Sequence, residues 1–197
     1  MRILITSASS LLGSYVANFF LEQGYFVEGT YRRINSKINN LMRHPNFTGL
    51  PVSFNIGSKL YDFTGKFDVI INSTGAYLTK GVDENDIINA NIKMMQSIER
   101  YLAISNSTKL VINFSTLSVY GNLSNIPFID HHTDARPIDL YGTSKLLAEQ
   151  ILNSIKIKDL KVVHLRFPVV LGSGAHRAWL PSILQTLKQN SSLSLIN

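Results

Sequence analysis

Three side chains in the sequence could together move a proton to or from a substrate oxygen. Tyr141 and Lys145 stand four residues apart, so a helix would place both on one face. A neighbouring ammonium favours the phenolate form of a tyrosine, which can then exchange a proton with a hydroxyl or carbonyl near neutral pH. Thr116 ends an apolar run and could hydrogen-bond the same oxygen, with Ser115 and Ser118 as competitors. A lone Tyr-x-x-x-Lys is also typical of an ordinary helix face, so the pair needs support from its surroundings.

The elements that must position these side chains alternate between short β-branched runs and amphipathic segments. Several runs are apolar nearly throughout, as parallel strands covered on both faces are. We predict strands at Arg2–Thr6, Phe26–Tyr31, Val52–Asn55, Val69–Asn72, Lys109–Ser115 and Lys161–Phe167. We predict helices at Leu11–Gln23, Glu84–Ile104, Tyr141–Ile157 and Leu180–Gln189. This alternation favours a Rossmann-like α/β fold, a doubly wound parallel sheet that binds ligands at the carboxyl ends of its strands.

The link between the first strand and the first helix is where a Rossmann unit has its glycine-rich phosphate turn. We expect cofactor contacts along this turn, at Ser7, Ser9, Ser10, Leu11, Leu12 and Gly13. Only Gly13 remains of a Gly-x-x-Gly-x-x-Gly pattern, because Ser7 and Ser10 occupy the other two places. A serine hydroxyl could donate to a phosphate, whereas its Cβ disfavours positive φ. The turn is therefore either a reshaped phosphate site or one that has lost nucleotide binding.

The end of the second strand carries Tyr31, Arg32 and Arg33 and lacks the acidic residue with which NAD-preferring sites bind ribose hydroxyls. Two guanidiniums suit a ribose 2′-phosphate, through charge-assisted and often bidentate hydrogen bonds. We therefore expect NADP as the preferred cofactor over NAD. A pair of solvated surface arginines is the alternative.

Five segments together resemble the NAD-dependent epimerase/dehydratase family, the extended short-chain dehydrogenases/reductases. They span nearly the whole chain in the family's order: ILITSASSLLGS, FDVIINSTGAY, VINFSTLSVYG, YGTSKLLAEQIL and VVHLRFPVVLGSG. The resemblance implies a Rossmann fold, a bound NAD(P) and a Ser/Thr–Tyr–Lys catalytic set, which by position is Thr116, Tyr141 and Lys145.

The same matching implies further contacts with the cofactor and the substrate. Besides Tyr141 and Lys145, the positions implied to border the cofactor are Ser73, Thr74, Gly75, Asn91, Phe54, Asn55, Ile56, Pro168 and Val169. We expect the substrate at Ser118, Val119 and Tyr120, and at His176 and Arg177, for which exposed loop positions are the alternative.

Three departures from the family pattern bear on its function. Tyr31 stands where an NAD-selecting Asp is frequent, and Asn55 stands where the family often has Asp. Pro168 replaces the Asn of many nucleotide-sugar epimerases, while Pro is common in reductase-like branches. The resemblance implies an NAD(P)-dependent oxidoreductase or epimerase/dehydratase acting on a nucleotide-activated sugar, without separating these reactions. A non-catalytic nucleotide-binding or assembly module is the alternative.

Composition limits the remaining classes. The 197 residues are 45% hydrophobic with a net charge of +6 and no long basic block, so we expect no nucleic-acid partner. The absence of cysteines excludes disulfides and thiolate zinc sites, and the five histidines lack ligand spacing, so we expect no metal. No stretch reaches a membrane span, which predicts a soluble, cytoplasmic protein.

The predicted domain organisation is a dinucleotide-binding domain over residues 1–167 and the start of a substrate lobe over residues 168–197. Nothing closes the domain after the loop and strand start at Ser191–Asn197, so we expect this C-terminal lobe to be truncated. The resemblance also implies a homodimer that pairs the helices Glu84–Ile104 and Tyr141–Ile157.

Overall fold

The computed structural model of the chain describes residues 1–52, 62–76, 82–124 and 127–172, together with residues 183, 186 and 188. The chain forms two compact units, Met1–Arg166 and Phe167–Asn197. The first unit holds the sheet, apart from the last residue of its final strand, and the helices described below.

Six strands form one sheet in the order β3-β2-β1-β4-β5-β6. In chain order the strands are β1 Arg2–Thr6, β2 Phe26–Tyr31, β3 Phe47–Pro51, β4 Val69–Asn72, β5 Leu110–Thr116 and β6 Lys161–Phe167. The pairs β1–β2, β1–β4, β2–β3 and β4–β5 are parallel. The chain moves outward from β1 to β3, returns to β4 and continues outward on the other side. A crevice therefore opens at the carboxyl ends of β1 and β4, where open α/β sheets bind ligands.

Helices cover both faces of this sheet. They are α1 Leu11–Glu22, α2 Ser36–Leu41, α3 Glu84–Ile88, a π-helical turn Asn89–Lys93, α4 Met94–Ile104, a 3₁₀ turn Leu117–Tyr120 and α5 Leu140–Ser154. Side chains cap the helices that begin at the crevice: the Ser10 oxygen accepts the Gly13 N–H at 3.0 Å, and the Asp139 carboxylate accepts the Gly142 N–H at 2.6 Å. Such caps satisfy N–H groups that have no partner within the helix.

The alternation of side chains along the strands divides the core into two layers. Leu4 and Val111 face α4 and α5, where they pack with Ile98. Ile3 and Ile71 face α1 and α2. Each such side chain is buried, and burial of one aliphatic side chain stabilises the fold by about 1.5–3 kcal/mol.

The predicted doubly wound sheet is confirmed, whereas its third strand lies earlier in the chain than the predicted Val52–Asn55. The third strand is β3, which ends at Pro51; Val52 lies outside it, and residues 53–55 lie outside the described part of the chain. Gly49 and Pro51 hide this strand from a propensity-based reading. Proline is tolerated there because β3 is an edge strand.

The predicted helices differ from the observed ones mainly within Glu84–Ile104, which the π turn interrupts. The helix predicted to begin at Tyr141 spans Leu140–Ser154, and α2 was not predicted. The segment Leu180–Gln189 lies largely outside the described residues, although residues 183, 186 and 188 are helical. The segment Ser191–Asn197 lies wholly outside them. None of the helices in the described part of the chain has the length and hydrophobicity of a membrane span. The same residues contain no group of three or more His, Asp and Glu side chains that could hold a metal ion.

Candidate active site at the carboxyl edge of the sheet

Lys145 is the most unusual side chain at this edge because it is a buried ammonium. The residue is 2% exposed, and its Nζ donates to the carbonyl oxygen of Thr74 at 3.0 Å, just beyond β4. Burial lowers the pKa of Lys145 to about 8, although the nearby Glu149 carboxylate opposes the shift. The helix thus delivers an amine with a pKa close to neutral to the end of the sheet.

Tyr141 lies one helical turn before Lys145 and faces the same loop. Among the described residues, the nearest atom to a Cβ built on Gly75 would be the Tyr141 hydroxyl oxygen, at 4.0 Å. The Tyr141 hydroxyl therefore lies near Gly75, and the Lys145 ammonium bonds the preceding residue, on the helix face that the four-residue spacing predicts.

Thr116 ends β5 beside the first turn of α5. Its Oγ1 accepts the Ser118 N–H at 3.2 Å and lies 3.2 Å from the Ser118 hydroxyl. A Cβ on Gly142 would come within 2.4 Å of the Ser118 carbonyl oxygen, so this glycine lets the 3₁₀ turn pack directly against the residue after Tyr141. Ser115, the competing hydroxyl, is buried on the opposite face of the strand.

The phosphate turn approaches the sheet closely. A Cβ on Gly13 would lie 2.3 Å from the Ser7 carbonyl oxygen, so only glycine fits there. Ser7 adopts φ 52°, a left-handed conformation that favours glycine. No hydrogen bond to the N–H groups of Ser9, Leu11 and Leu12 is present among the described residues.

In this conformation Ser7 directs both of its donors to protein atoms. Its N–H donates to Thr30 Oγ1 at 2.8 Å, and its hydroxyl lies 3.1 Å from Thr74 Oγ1. Because the single Thr74 hydroxyl proton goes to Thr6 Oγ1 at 2.8 Å, the Ser7 hydroxyl must donate to Thr74. Donation from the Ser7 hydroxyl to a phosphate would therefore require that its bond to Thr74 be broken.

Asn91, in the π turn, clamps the loop that follows β4. Its Oδ1 accepts the Ala76 N–H at 3.0 Å, and its Nδ2 donates to the Ala76 carbonyl at 3.1 Å and to Ser144 Oγ at 2.8 Å. These bonds use both amide protons of Asn91. Its side chain therefore acts at this edge of the sheet by holding the Ala76 backbone in place.

The end of β2 presents Tyr31, Arg32 and Arg33. Tyr31 is half-buried and both arginines are exposed. In the described part of the chain neither guanidinium makes an ion pair. Two exposed positive charges with no ion-pair partner among the described residues therefore follow the end of β2.

A buried ion pair lies behind Lys145. Glu149, one turn further along α5, accepts hydrogen bonds from Arg166 Nε at 3.1 Å and Nη2 at 2.7 Å. Burial alone would raise the pKa of Glu149, but the bonds and charge of Arg166 outweigh burial and leave it lowered. The same bonds raise the pKa of Arg166, whose guanidinium also lies 4.8 Å from the centre of the Tyr120 ring. This pair is not among the residues predicted from the sequence, although Tyr141, Lys145 and Glu149 recur every four residues on one helix face.

The remaining predicted site residues are distributed as follows. Ser73 bonds the end of β1 through its N–H and hydroxyl, and Val119 and Tyr120 are buried. Pro168 and Val169 follow β6 in the second unit. The other predicted site residues lie outside the described part of the chain: Phe54, Asn55, Ile56, His176 and Arg177.

The chain matches one family model and several known proteins. The model of the NAD dependent epimerase/dehydratase family matches residues 3–196. A UDP-glucose 4-epimerase of Yersinia enterocolitica is 28% identical over 100% of this chain and 61% of its own length.

Two solved structures share the fold. The UDP-glucuronic acid 4-epimerase of Bacillus cereus, in complex with NAD, superimposes with a TM-score of 0.84 at 21% identity and covers 100% of this chain and 66% of its own. A dTDP-glucose 4,6-dehydratase of Bacillus anthracis, also in complex with NAD, gives a TM-score of 0.79 at 18% identity, with coverage of 100% and 64%. The chain thus spans about two thirds or less of the proteins that it resembles.

Proposed function

The chain belongs to the NAD-dependent epimerase/dehydratase family, and we propose that it binds an NAD(P) dinucleotide at the carboxyl edge of its sheet and acts on a nucleotide-activated sugar. The observation that carries the proposal is the Lys145 ammonium, which is buried, bonded to the Thr74 carbonyl and one turn from Tyr141. An ordinary surface Tyr-x-x-x-Lys would leave its amine in water. Burying a charge is costly, which favours a chemical role for it.

The crevice fits a dinucleotide in three respects. Gly13 allows a tight turn. The N–H groups of Leu11 and Leu12 lie at the start of α1, and the N-terminus of a helix favours anions. Gly75 leaves space beside the Tyr141 hydroxyl that a side chain would fill. When bound, the nicotinamide supplies hydride exchange with the sugar carbon.

Side chains of the protein would transfer the proton to or from the substrate oxygen. Tyr141 exchanges a proton with the sugar hydroxyl or carbonyl oxygen, while the Lys145 ammonium favours the phenolate and is placed to hold a ribose hydroxyl. Thr116 hydrogen-bonds the same oxygen. Comparable acid–base residues contribute about 10²–10⁴-fold to enzymatic rates.

The test of this function is a Tyr141→Phe variant assayed with UDP- and dTDP-activated sugars in the presence of each dinucleotide. We expect turnover to fall by about 10²-fold or more while dinucleotide binding, measured by calorimetry, is retained. Tyr25→Phe removes a phenolic hydroxyl that precedes β2, at the opposite edge of the sheet, and should leave turnover unchanged. Undiminished turnover by Tyr141→Phe would exclude the proposed role.

Dinucleotide preference rests on Arg32 and Arg33, whose free charges suit a 2′-phosphate. The proposal is that NADP(H) binds more tightly than NAD(H), while the NAD in the solved relatives makes NAD(H) preference the competing outcome. Calorimetric titration with each dinucleotide distinguishes the two outcomes. The proteins compared are the wild type, the double variant Arg32→Ala/Arg33→Ala and, as a control at another exposed arginine, Arg43→Ala. Equal affinities for the two dinucleotides in the wild type would contradict the proposal.

A non-catalytic nucleotide-binding module is the second candidate. It is favoured by Ser7, which directs both its N–H and its hydroxyl to protein atoms and so leaves fewer donors for a pyrophosphate. Dinucleotide binding by the wild type without turnover of any nucleotide sugar would favour this candidate over the enzyme.

We also propose that two copies pair through α3–α4 and α5, because Ile88 and Leu147 on these helices are 44% and 45% exposed. Sedimentation equilibrium should give a dimer for the wild type and a monomer for Leu147→Glu. A wild-type protein that is monomeric throughout the concentration series would contradict this assembly.

A further inference from the structure

Hydroxyl groups at the crevice form a chain of hydrogen bonds with a fixed direction. Asn72 Oδ1 is identified as an oxygen because it accepts the Thr74 N–H at 3.2 Å, and it also accepts the Thr6 hydroxyl at 2.6 Å. Thr6 has then used its one proton, so the Thr74 hydroxyl donates to it. The Ser7 hydroxyl, in turn, donates to Thr74.

The chain continues in the same direction across the sheet. Asn72 Nδ2 donates to Asn113 Oδ1 at 2.7 Å, and Asn113 Nδ2 lies 3.1 Å from His164 Nδ1, which must accept because an amide nitrogen only donates. His164 Nε2 then donates to Asn153 Oδ1 at 3.0 Å. Every partner from the phosphate turn to α5 is therefore fixed, which holds Thr74 in one orientation.

Thr74 links this series of hydrogen bonds to the active site through its backbone carbonyl. Its side chain receives the Ser7 proton, and its carbonyl oxygen receives the Lys145 ammonium. Ser7 occupies the place of a motif glycine at φ 52°, where a side chain is disfavoured, so the hydroxyl contact offsets a backbone cost that glycine would not incur.

We propose that Ser7 is a positioning residue of this site: by donating to Thr74, it ties the phosphate turn to the carbonyl that holds the Lys145 ammonium. A catalytic role for Lys145 rests on the proposed function, whereas the positioning of its amine does not. Replacement of a motif glycine by serine is then an added contact between the cofactor turn and the lysine.

The test is the protonation of Lys145 in the dinucleotide-free protein, followed by NMR of lysine labelled at Cε and Nζ and assigned with Lys145→Arg. A carbonyl bond to the ammonium favours the charged form. We expect Ser7→Ala and Ser7→Gly to lower the Lys145 pKa by about half a unit, roughly a threefold change in its protonation equilibrium. The charged groups that act on or near this amine, Glu149 on α5 and His164 and Arg166 on β6, are unchanged in these variants.

Matched variants separate the hydroxyl from the backbone. Thr74→Val should reproduce the shift, Thr74→Ser should restore the wild-type titration, and Ser7→Gly/Thr74→Val should shift it no further than Thr74→Val alone. Ser14→Ala removes a buried hydroxyl of α1 that takes no part in this series of hydrogen bonds. This variant should leave the Lys145 pKa unchanged.

Two results would overturn the proposal: a Lys145 titration that is unchanged in both Ser7 variants, or one that changes in Ser7→Ala and not in Ser7→Gly, which would assign the effect to the backbone. If Ser7→Ala does not fold, Ser7→Gly, which suits the left-handed conformation, decides alone. Because no dinucleotide or sugar is present, this result is independent of whether the protein turns over a substrate.

Discussion

Replacing Glu149 by alanine removes the anion of the ion pair that lies one helical turn beyond Lys145 on α5. The Glu149 side chain is 3% exposed and accepts two hydrogen bonds from Arg166, whose side chain is 27% exposed. Removing one partner of a fully buried pair costs about 3–5 kcal/mol, since the other charge is left unpaired. Because Arg166 keeps some contact with water and its place over Tyr120, we expect the free energy of unfolding to fall by about 2–3 kcal/mol.

Urea unfolding at pH 7 measures this loss, with Glu22→Ala as the matched change at an exposed glutamate. The fold lowers the pKa of Glu149, so its stabilisation is present above the unfolded-state pKa of about 4.3 and is lost as the pH falls through the folded value. Arg166→Met and the double variant complete a cycle, in which we expect an interaction energy above about 1 kcal/mol. The reasoning fails if Glu149→Ala costs no more than Glu22→Ala, or if the two single losses simply add.

Three further predictions follow from particular contacts. Gly142→Ala puts a Cβ against the Ser118 carbonyl and should cost about 1–3 kcal/mol in urea unfolding; a wild-type midpoint would show that the turn can move aside. Burial lowers the pKa of His164, with nearby cations adding to the effect and the Glu149 carboxylate opposing it, so stability should be full above the unfolded-state pKa of about 6.5 and fall as the pH drops below it. If a His164→Gln variant loses as much free energy of unfolding between pH 7.5 and 5.5 as the wild type does, the loss cannot be assigned to His164. Asn91→Ala opens the clamp on Ala76, so the Ala76 amide should exchange its hydrogen faster; unchanged protection would count against the clamp.

Local pattern was sufficient for most of the sheet and for placing Tyr141 and Lys145 on one face of a helix. Four strands, β1, β2, β4 and β6, have the predicted bounds because they are apolar runs bordered by turn residues. The position of Lys145 follows from the period of one helix. β3 was missed because Gly49 and Pro51 lower its apparent strand propensity, and its pairing with β2 overrides that propensity.

Long-range partners account for what the sequence could not provide. The hydroxyl of Ser7 is committed to Thr74, 67 residues away, and no local pattern reports where that proton goes. The charge of Glu149, on helix α5, is paired with Arg166, which lies 17 residues later on strand β6. In both cases the residue type was visible, but the partner that decides its chemistry was brought in by the fold.

The π-helical turn Asn89–Lys93 has a consequence for how this site tolerates insertions and deletions. A π turn contains one residue more than the equivalent α-helical turn, so deleting one codon there would restore a regular helix between α3 and α4. Because the wider π turn accommodates the extra residue, this deletion would leave α3 and α4 close to their present faces. A deletion within α4, where each residue turns by about 100°, would instead rotate the residues before it relative to those after it by that angle. Whether a deletion in the π turn falls before or after Asn91 would decide on which side of the helix its amide lies. Single-codon deletions along this segment would therefore separate the requirements of a continuous helix from those of the loop held beside Lys145.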